Sequence, residues 1–217
     1  MTNLKKEHIT FIDTYLENSN IIFTDIRLEM VDHVATAIET QIETGDTRDF
    51  YFIFKDYMVK NKSALLFQNR KFTSTVDKAI GKKWIKNCLS LKGLLILVFS
   101  FAVIFLLHLY FVDLEFLSVV KHIPLFVLIV TVGLYFMYIK KKNKRYSALE
   151  RIPFYFLVTY YVTNFSIKIG SRYSGFLIES AFVTILIASF FITLFATLLY
   201  TAFEYRKEYD FRFNNLI

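Results

Sequence analysis

Apolar residues are distributed differently in the two halves of this chain. Before residue 62 they recur every three or four positions, whereas after residue 92 they form long runs with few charges. The first pattern is typical of amphipathic helices, and the second is typical of helices that cross a lipid bilayer. The sequence therefore predicts an all-α protein, in which a small N-terminal cytosolic helical domain is followed by a four-helix transmembrane bundle.

The predicted spans cover residues 93–111, 123–139, 152–167 and 177–203. These runs lack the alternation of a barrel strand, and a helix satisfies its own backbone hydrogen bonds in lipid. We accordingly predict three parts: a cytosolic domain at 1–62, a basic juxtamembrane helix at 63–92, and a bundle at 93–217 that ends in a short cytosolic tail.

Basic residues flank the predicted spans asymmetrically. Thirteen Lys and Arg residues flank the spans on one side: four lie at 82–92 just before the first span, six lie between the second and third, and three follow the fourth, whereas the other two loops hold three. The positive-inside rule then puts both termini in the cytosol and the bundle in the plasma membrane. The residues predicted to set this topology and to contact lipid headgroups are Lys82, Lys83, Lys86, Lys92, Lys140, Lys141, Lys142, Lys144 and Arg145.

Three amphipathic helices are predicted in the N-terminal domain. The first covers 3–17, and the second runs from a cap at Thr24 or Asp25 to Gly45. A third helix, capped by Asp46 or Thr47, extends to about residue 58, and a separate basic helix covers 63–89. The apolar stripe of the second helix contains Ile26, Met30, Val34, Ile38 and Ile42.

The stretch IDTYLENSNIIFTDIRLEMVDHVATAIETQIETG, followed by an aromatic helix and apolar spans, resembles a known family. It is similar to the HAAS-type bacterial membrane proteins that are associated with PadR regulators, and the resemblance covers residues 1–65. Members carry a small helical domain on membrane helices. The resemblance implies a role in signalling to transcription, with a PadR-like regulator as the cytosolic partner.

Polar residues cluster on the second helix, in the string DIRLEMVDH. Residues 1–60 hold 6 basic against 11 acidic residues, which favours a surface that docks a protein partner. The alternatives are a plain solvated face, or a metal held by Glu29, His33 and a third ligand from His8 or Asp25. We favour docking and expect no metal or cofactor. The predicted docking residues are Asp25, Arg27, Glu29, Asp32 and His33.

The fourth span carries a hydroxyl residue at every fourth position. Small residues on one helix face allow close packing, and hydroxyls form hydrogen bonds across the contact. We predict packing within the chain, with a homodimer seam as the alternative. The residues concerned are Ser189, Thr193, Thr197 and Thr201.

Signatures of catalysis are missing from the sequence. It contains no GxGxxG, no GxxxxGK[ST], no HExxH and no GxSxG motif, and its single cysteine has no catalytic context. The basic excess lies beside the membrane, which argues against direct nucleic-acid binding. We predict a non-enzymatic signalling or regulatory protein that couples a membrane bundle to a cytosolic partner. The alternative is a transport accessory subunit or a small permease.

Overall fold

The computed structural model describes residues 4–111, 119–120, 122–140, 144–173 and 181–213, with the backbone alone for 166–173. The described part of the chain is helical and contains no strand, so the predicted all-α class is confirmed there. Its α-helices are α1 (Lys6–Asn18), α2 (Thr24–Glu43), α3 (Phe50–Cys88), α4 (Leu91–Tyr110), α5 (Ile123–Leu134), α6 (Ser147–Tyr173) and α7 (Ala181–Phe213). A π-helical turn, Tyr135–Ile139, continues α5.

The chain divides into two units. The N-terminal unit contains Met1–Lys78 and Lys141–Ser147, and the apolar unit contains Ala79–Lys140 and Ala148–Ile217. This division differs from the predicted boundaries at 62 and 92. The observed boundary between residues 78 and 79 falls inside α3. The two helices predicted for this region are a single helix of 39 residues. Physically, no proline interrupts residues 50–88, and the single glycine there, Gly81, is tolerated at a cost of about 1 kcal/mol.

The N-terminal unit has a core formed by α1, α2 and α3. The predicted stripe of α2 supplies Met30, Val34 and Ile38, all at most 1% exposed. Leu65, beyond the predicted domain boundary, joins the same core. The turn after α1 contains Asn20 at φ 66°, a left-handed conformation that asparagine tolerates better than most residues.

Neither predicted cap of α2 holds its own helix. The residue before α2 is Phe23, which makes no side-chain cap bond, and the first amide of α2, that of Thr24, donates instead to the carbonyl of Arg145 at 2.8 Å.

Asp46, predicted to cap the third helix, accepts hydrogen bonds from the backbone and guanidinium of Arg48. The side-chain bond to Arg48 is the main reason that the pKa of Asp46 lies below its usual value.

The apolar unit contains two helices long and apolar enough to cross a membrane, Leu91–Tyr110 and Ala181–Phe213. The apolar helix Ile123–Ile139 is shorter. The third predicted span, 152–167, lies within the 27-residue α6, and the start of the fourth, 177–180, lies outside the described residues. Among the described residues, length and composition thus identify two candidate spans, and the predicted bundle of four is not confirmed.

A tyrosine from the π-helical turn supplies the hydrogen bond that a proline inside α6 cannot donate. Pro153 has no amide hydrogen, so it leaves the carbonyl of Leu149 without its usual helical donor. The hydroxyl of Tyr135, which is buried, donates to that carbonyl. This bond joins α5 to α6 and supplies the missing donor.

Candidate functional site

The polar face predicted on α2 separates into three parts with different surroundings. Arg27 is buried, and its guanidinium donates to Asp13 at 2.7 Å, to Glu17 at 3.0 Å and to the carbonyl of Ile21 at 3.4 Å. These bonds tie α2 to α1 and to the turn between them. Arg27 therefore belongs to the interior of the unit, which corrects its inclusion in a docking face.

Asp25 forms part of a junction with the segment that precedes α6. Its carboxylate accepts a hydrogen bond from the amide of Ser147 at 2.9 Å and another from the hydroxyl of the same serine. The first amides of a helix lack an intrahelical acceptor, and a carboxylate also suits the positive end of the helix dipole. Asp25 therefore caps α6, although the two residues are 122 positions apart in sequence.

The junction is reciprocal, because each segment satisfies an amide at the start of the other helix. Arg145 provides the carbonyl for Thr24, the first residue of α2, while Asp25 accepts from Ser147, the first residue of α6. Ser147 and the neighbouring Tyr146 are almost fully buried. Losing either bond would leave a polar backbone group without a partner. The sequence signals only a capping residue here, and periodicity cannot tell which helix it caps.

Glu29, Asp32 and His33 are exposed on the outer side of α2. Within the described part of the chain, these three side chains make no hydrogen bond or ion pair. Leu28, 37% exposed, lies beside them. The result is an acidic surface with an apolar margin, and we call Glu29, Asp32 and His33 the outer face of α2.

Both possible third metal ligands are engaged elsewhere, Asp25 with Ser147 and His8 with an aromatic ring. The ring of His8 stacks on Phe50 with the ring centroids 4.1 Å apart. Among the described residues, no group of three His, Cys, Asp or Glu side chains is arranged to hold a metal ion. The outer face of α2 is therefore characterised by its charge and its exposure.

An aromatic groove lies between α1 and α3, and the sequence analysis did not identify it. The groove has a volume of about 520 Å³, and its lining includes Phe11, Tyr15, Tyr51 and Phe54. The signal was available in the sequence, since residues 50, 51, 52 and 54 are all aromatic and cannot share one face at ~100° per residue. Some of them had to remain on the surface, as Tyr51 does at 50% exposure.

In the apolar unit, the predicted hydroxyl row is buried along α7. Each hydroxyl donates to the carbonyl four residues earlier, at 2.7 to 2.9 Å. Such bonds satisfy the hydroxyl within its own helix and leave the oxygen able to accept a further bond. The row consists of Ser189, Thr193, Thr197 and Thr201.

The end of α3 donates hydrogen bonds to this row. The indole of Trp84 donates to Thr197 Oγ1 at 3.2 Å, and the amide of Asn87 donates to Thr201 Oγ1 at 3.0 Å and to Glu204 at 2.8 Å. The packing is therefore within the chain. All four hydroxyls are buried, so none is presented as a surface seam to a second copy.

The lysines near the start of α4 fall into two groups. Lys83 forms an ion pair with Glu208 at 2.5 Å, and Lys92 donates to the hydroxyl of Tyr200 at 2.7 Å. Lys82 and Lys86 are exposed, and neither forms a hydrogen bond or ion pair with a described residue. The sequence pattern did not separate these groups, because all four lysines precede or begin the same apolar run.

The other predicted topology residues lie near the second loop. Lys140 is exposed and its ammonium lies 5.2 Å from the ring centre of Phe136, while Lys144 is half-buried. Arg145 supplies the carbonyl of the junction with α2. Lys141 and Lys142 lie outside the described residues.

Neither models of known protein families, nor curated proteins, nor solved structures match this chain. The likeness of residues 1–65 to HAAS-type proteins therefore stays a prediction from the sequence.

Proposed function

We propose that this chain is a non-enzymatic, multi-pass membrane protein whose N-terminal unit docks a cytosolic protein and couples that docking to its membrane helices. In this proposal four helices cross the plasma membrane and both termini are cytosolic. The partner is a soluble regulator, PadR-like by the resemblance of residues 1–65.

The observation that carries this proposal is the double role of α2. In its first turn, Asp25 accepts a hydrogen bond from Ser147, the first residue of α6, and Thr24 donates to the carbonyl of Arg145 just before it. In its next turn, the exposed outer face begins at Glu29. Residues four apart on a helix are neighbours on its surface. A partner bound at Glu29 therefore lies within one helical turn of the bond that caps α6. Binding there can strengthen or weaken that bond and so change the conformation of the loop between the second and third predicted spans.

The charge of the outer face defines the kind of partner. Glu29 and Asp32 are exposed, and the surrounding residues 1–60 have a net charge of −5. Complementary charge accelerates association and fixes register, so the matching surface is basic. An acidic surface also stays away from anionic lipid headgroups, which leaves it accessible to a soluble protein.

A charge-reversal pair tests the docking proposal. Glu29→Lys with Asp32→Lys should abolish partner recovery, because like charges then meet in the interface. The control pair, Glu7→Lys with Glu43→Lys, makes the same change at other exposed positions and should keep recovery. Surface changes of this kind usually alter stability by less than ~0.5 kcal/mol.

The measurement is photo-crosslinking followed by affinity purification of the full chain, at matched amounts in the membrane. A photoreactive residue at Thr36, which is exposed one turn beyond Asp32, captures the partner directly. Unchanged crosslinking in the charge-reversed pair would reject the outer face as the docking site. Capture of a membrane ATPase instead of a soluble regulator would favour the transport-accessory alternative.

Membrane topology is tested separately with single cysteines. The chain has one cysteine, Cys88, so Cys88→Ser provides a cysteine-free background. A membrane-impermeant maleimide added to intact cells should label cysteines at positions 117 and 172 and should spare position 60. Protection of position 117 under these conditions would reject the four-span arrangement.

A further inference from the structure

The last turns of α3 have two opposite faces with different chemistry. At ~100° per residue, Lys82, Ile85, Lys86 and Leu89 fall within one arc of about 100°, and residues 83, 84, 87 and 88 fall on the other side. Ile85 is 59% exposed and Leu89 is 83% exposed. We call Lys82, Ile85, Lys86 and Leu89 the basic-apolar face.

Contacts with α7 fix the rotation of this helix. The opposite face is held by the indole of Trp84 on Thr197, the amide of Asn87 on Thr201, and the ion pair of Lys83. The basic-apolar face therefore points away from α7. Glu204 of α7 accepts a hydrogen bond from Asn87, and Glu208 of α7 forms an ion pair with Lys83. Among the described residues, no acidic side chain forms an ion pair with Lys82 or Lys86.

The basic-apolar face is followed along the chain by the apolar helix α4. Ser90 joins the two helices by accepting from the amide of Gly93 at 3.2 Å and donating to the carbonyl of Asn87 at 2.7 Å. Beyond it, Leu91 and Leu95 are exposed. Two lysines without a described acidic partner thus lie within the three turns that precede an apolar helix, together with the exposed aliphatic side chains of Ile85 and Leu89.

We propose that the basic-apolar face binds the anionic phospholipids of the bilayer. The ammonium groups of Lys82 and Lys86 contact the phosphate-bearing headgroup, while Ile85 and Leu89 lie against the upper part of the acyl chains. Lysine stems commonly extend along apolar surface and keep their charge at the membrane interface. This inference rests on the proposed membrane location, and it assigns lipid contact to two of the four lysines near the start of α4.

The sole tryptophan, Trp84, is in the same helical turn and provides a local probe. The full chain is reconstituted into bilayers that mix phosphatidylcholine with phosphatidylglycerol, with one lipid at a time carrying brominated acyl chains that quench tryptophan at short range. The ratio of quenching by the two brominated lipids measures the preference for the anionic lipid beside Trp84. Each lysine near an anionic surface favours it by about fivefold, so the two lysines together give a preference of up to roughly 25-fold.

Replacing both lysines should remove this preference. Lys82→Gln with Lys86→Gln should bring the quenching ratio close to that of a neutral surface. The control pair, Lys55→Gln with Lys60→Gln, removes the same charge from exposed positions of the N-terminal unit and should leave the ratio unchanged. Equal quenching by the two lipids in the unmodified chain, or a preference that survives loss of Lys82 and Lys86, would overturn the assignment.

Alkaline carbonate extraction of the same vesicles separates this inference from the proposed function. A chain that stays in the vesicles but shows no lipid preference retains its membrane location and loses only the lipid site. A chain released by carbonate is not inserted, and that result overturns both proposals. Retention together with a preference that depends on Lys82 and Lys86 supports both.

Discussion

Replacing Asp25 with alanine should open the start of α6 without unfolding α2. The substitution removes the acceptor for both the amide and the hydroxyl of Ser147, a residue with no exposed surface. Loss of a capping side chain costs about 0.5–2 kcal/mol, and leaving a buried polar group unsatisfied costs about 1–3 kcal/mol. We therefore expect the local opening free energy at Ser147 to fall by about 2 kcal/mol.

Amide hydrogen exchange of the full chain in lipid nanodiscs measures this change. A loss of about 2 kcal/mol corresponds to roughly thirtyfold faster exchange of the Ser147 amide. Fragmentation that isolates residues 144–150 gives the site, and α2 beyond Met30 should keep its protection because its apolar stripe remains buried.

The matched control is Asp32→Ala, which removes an exposed carboxylate from the same helix. It should leave exchange at Ser147 unchanged. Asp25→Asn should give an intermediate rate, because the amide oxygen still accepts one hydrogen bond but no longer carries charge. Full protection of Ser147 in Asp25→Ala, or an equal loss in Asp32→Ala, would refute the assignment of Asp25 as the cap of α6.

Three further substitutions test the internal contacts. Tyr135→Phe removes the donor to the carbonyl of Leu149 and should lower stability by about 1–3 kcal/mol, measured by thermal circular dichroism, with Tyr138→Phe as an exposed control. Arg27→Lys keeps the charge but loses the planar guanidinium, and should speed amide exchange in α1 severalfold. Gly93→Ala should sharply reduce the folded yield, because its Cβ would lie 2.2 Å from the carbonyl oxygen of residue 88. Wild-type behaviour of Tyr135→Phe or Arg27→Lys would contradict the hydrogen bonds assigned to those side chains, and wild-type yield of Gly93→Ala would contradict the close approach at Gly93.

Local patterns in the sequence determined the helices and the residues of their buried faces. The four-residue spacing of Met30, Val34 and Ile38 predicted a buried stripe, and all three are in the core. Helix geometry brings such residues to one face whatever the rest of the chain does. The row of hydroxyls on α7 was visible for the same reason.

The tertiary structure decided which polar groups meet. Asp25 looked like a cap of its own helix, yet it caps α6, and Arg27 looked like a surface residue, yet it binds Asp13 and Glu17. Similarly, the sequence around Lys83 and Lys86 did not show that Lys83 forms an ion pair with Glu208 while Lys86 stays exposed.

The physical reason for this difference is the sequence separation over which each kind of interaction acts. Periodicity is fixed by the backbone within a few residues, so a single sequence reveals which face of a helix is apolar. A hydrogen bond between residues more than 100 positions apart depends on how helices are brought together, and many polar residues in the chain are equally suitable partners. The sequence thus determined the helical faces, and only packing selected Asp25 for Ser147 and Trp84 for Thr197.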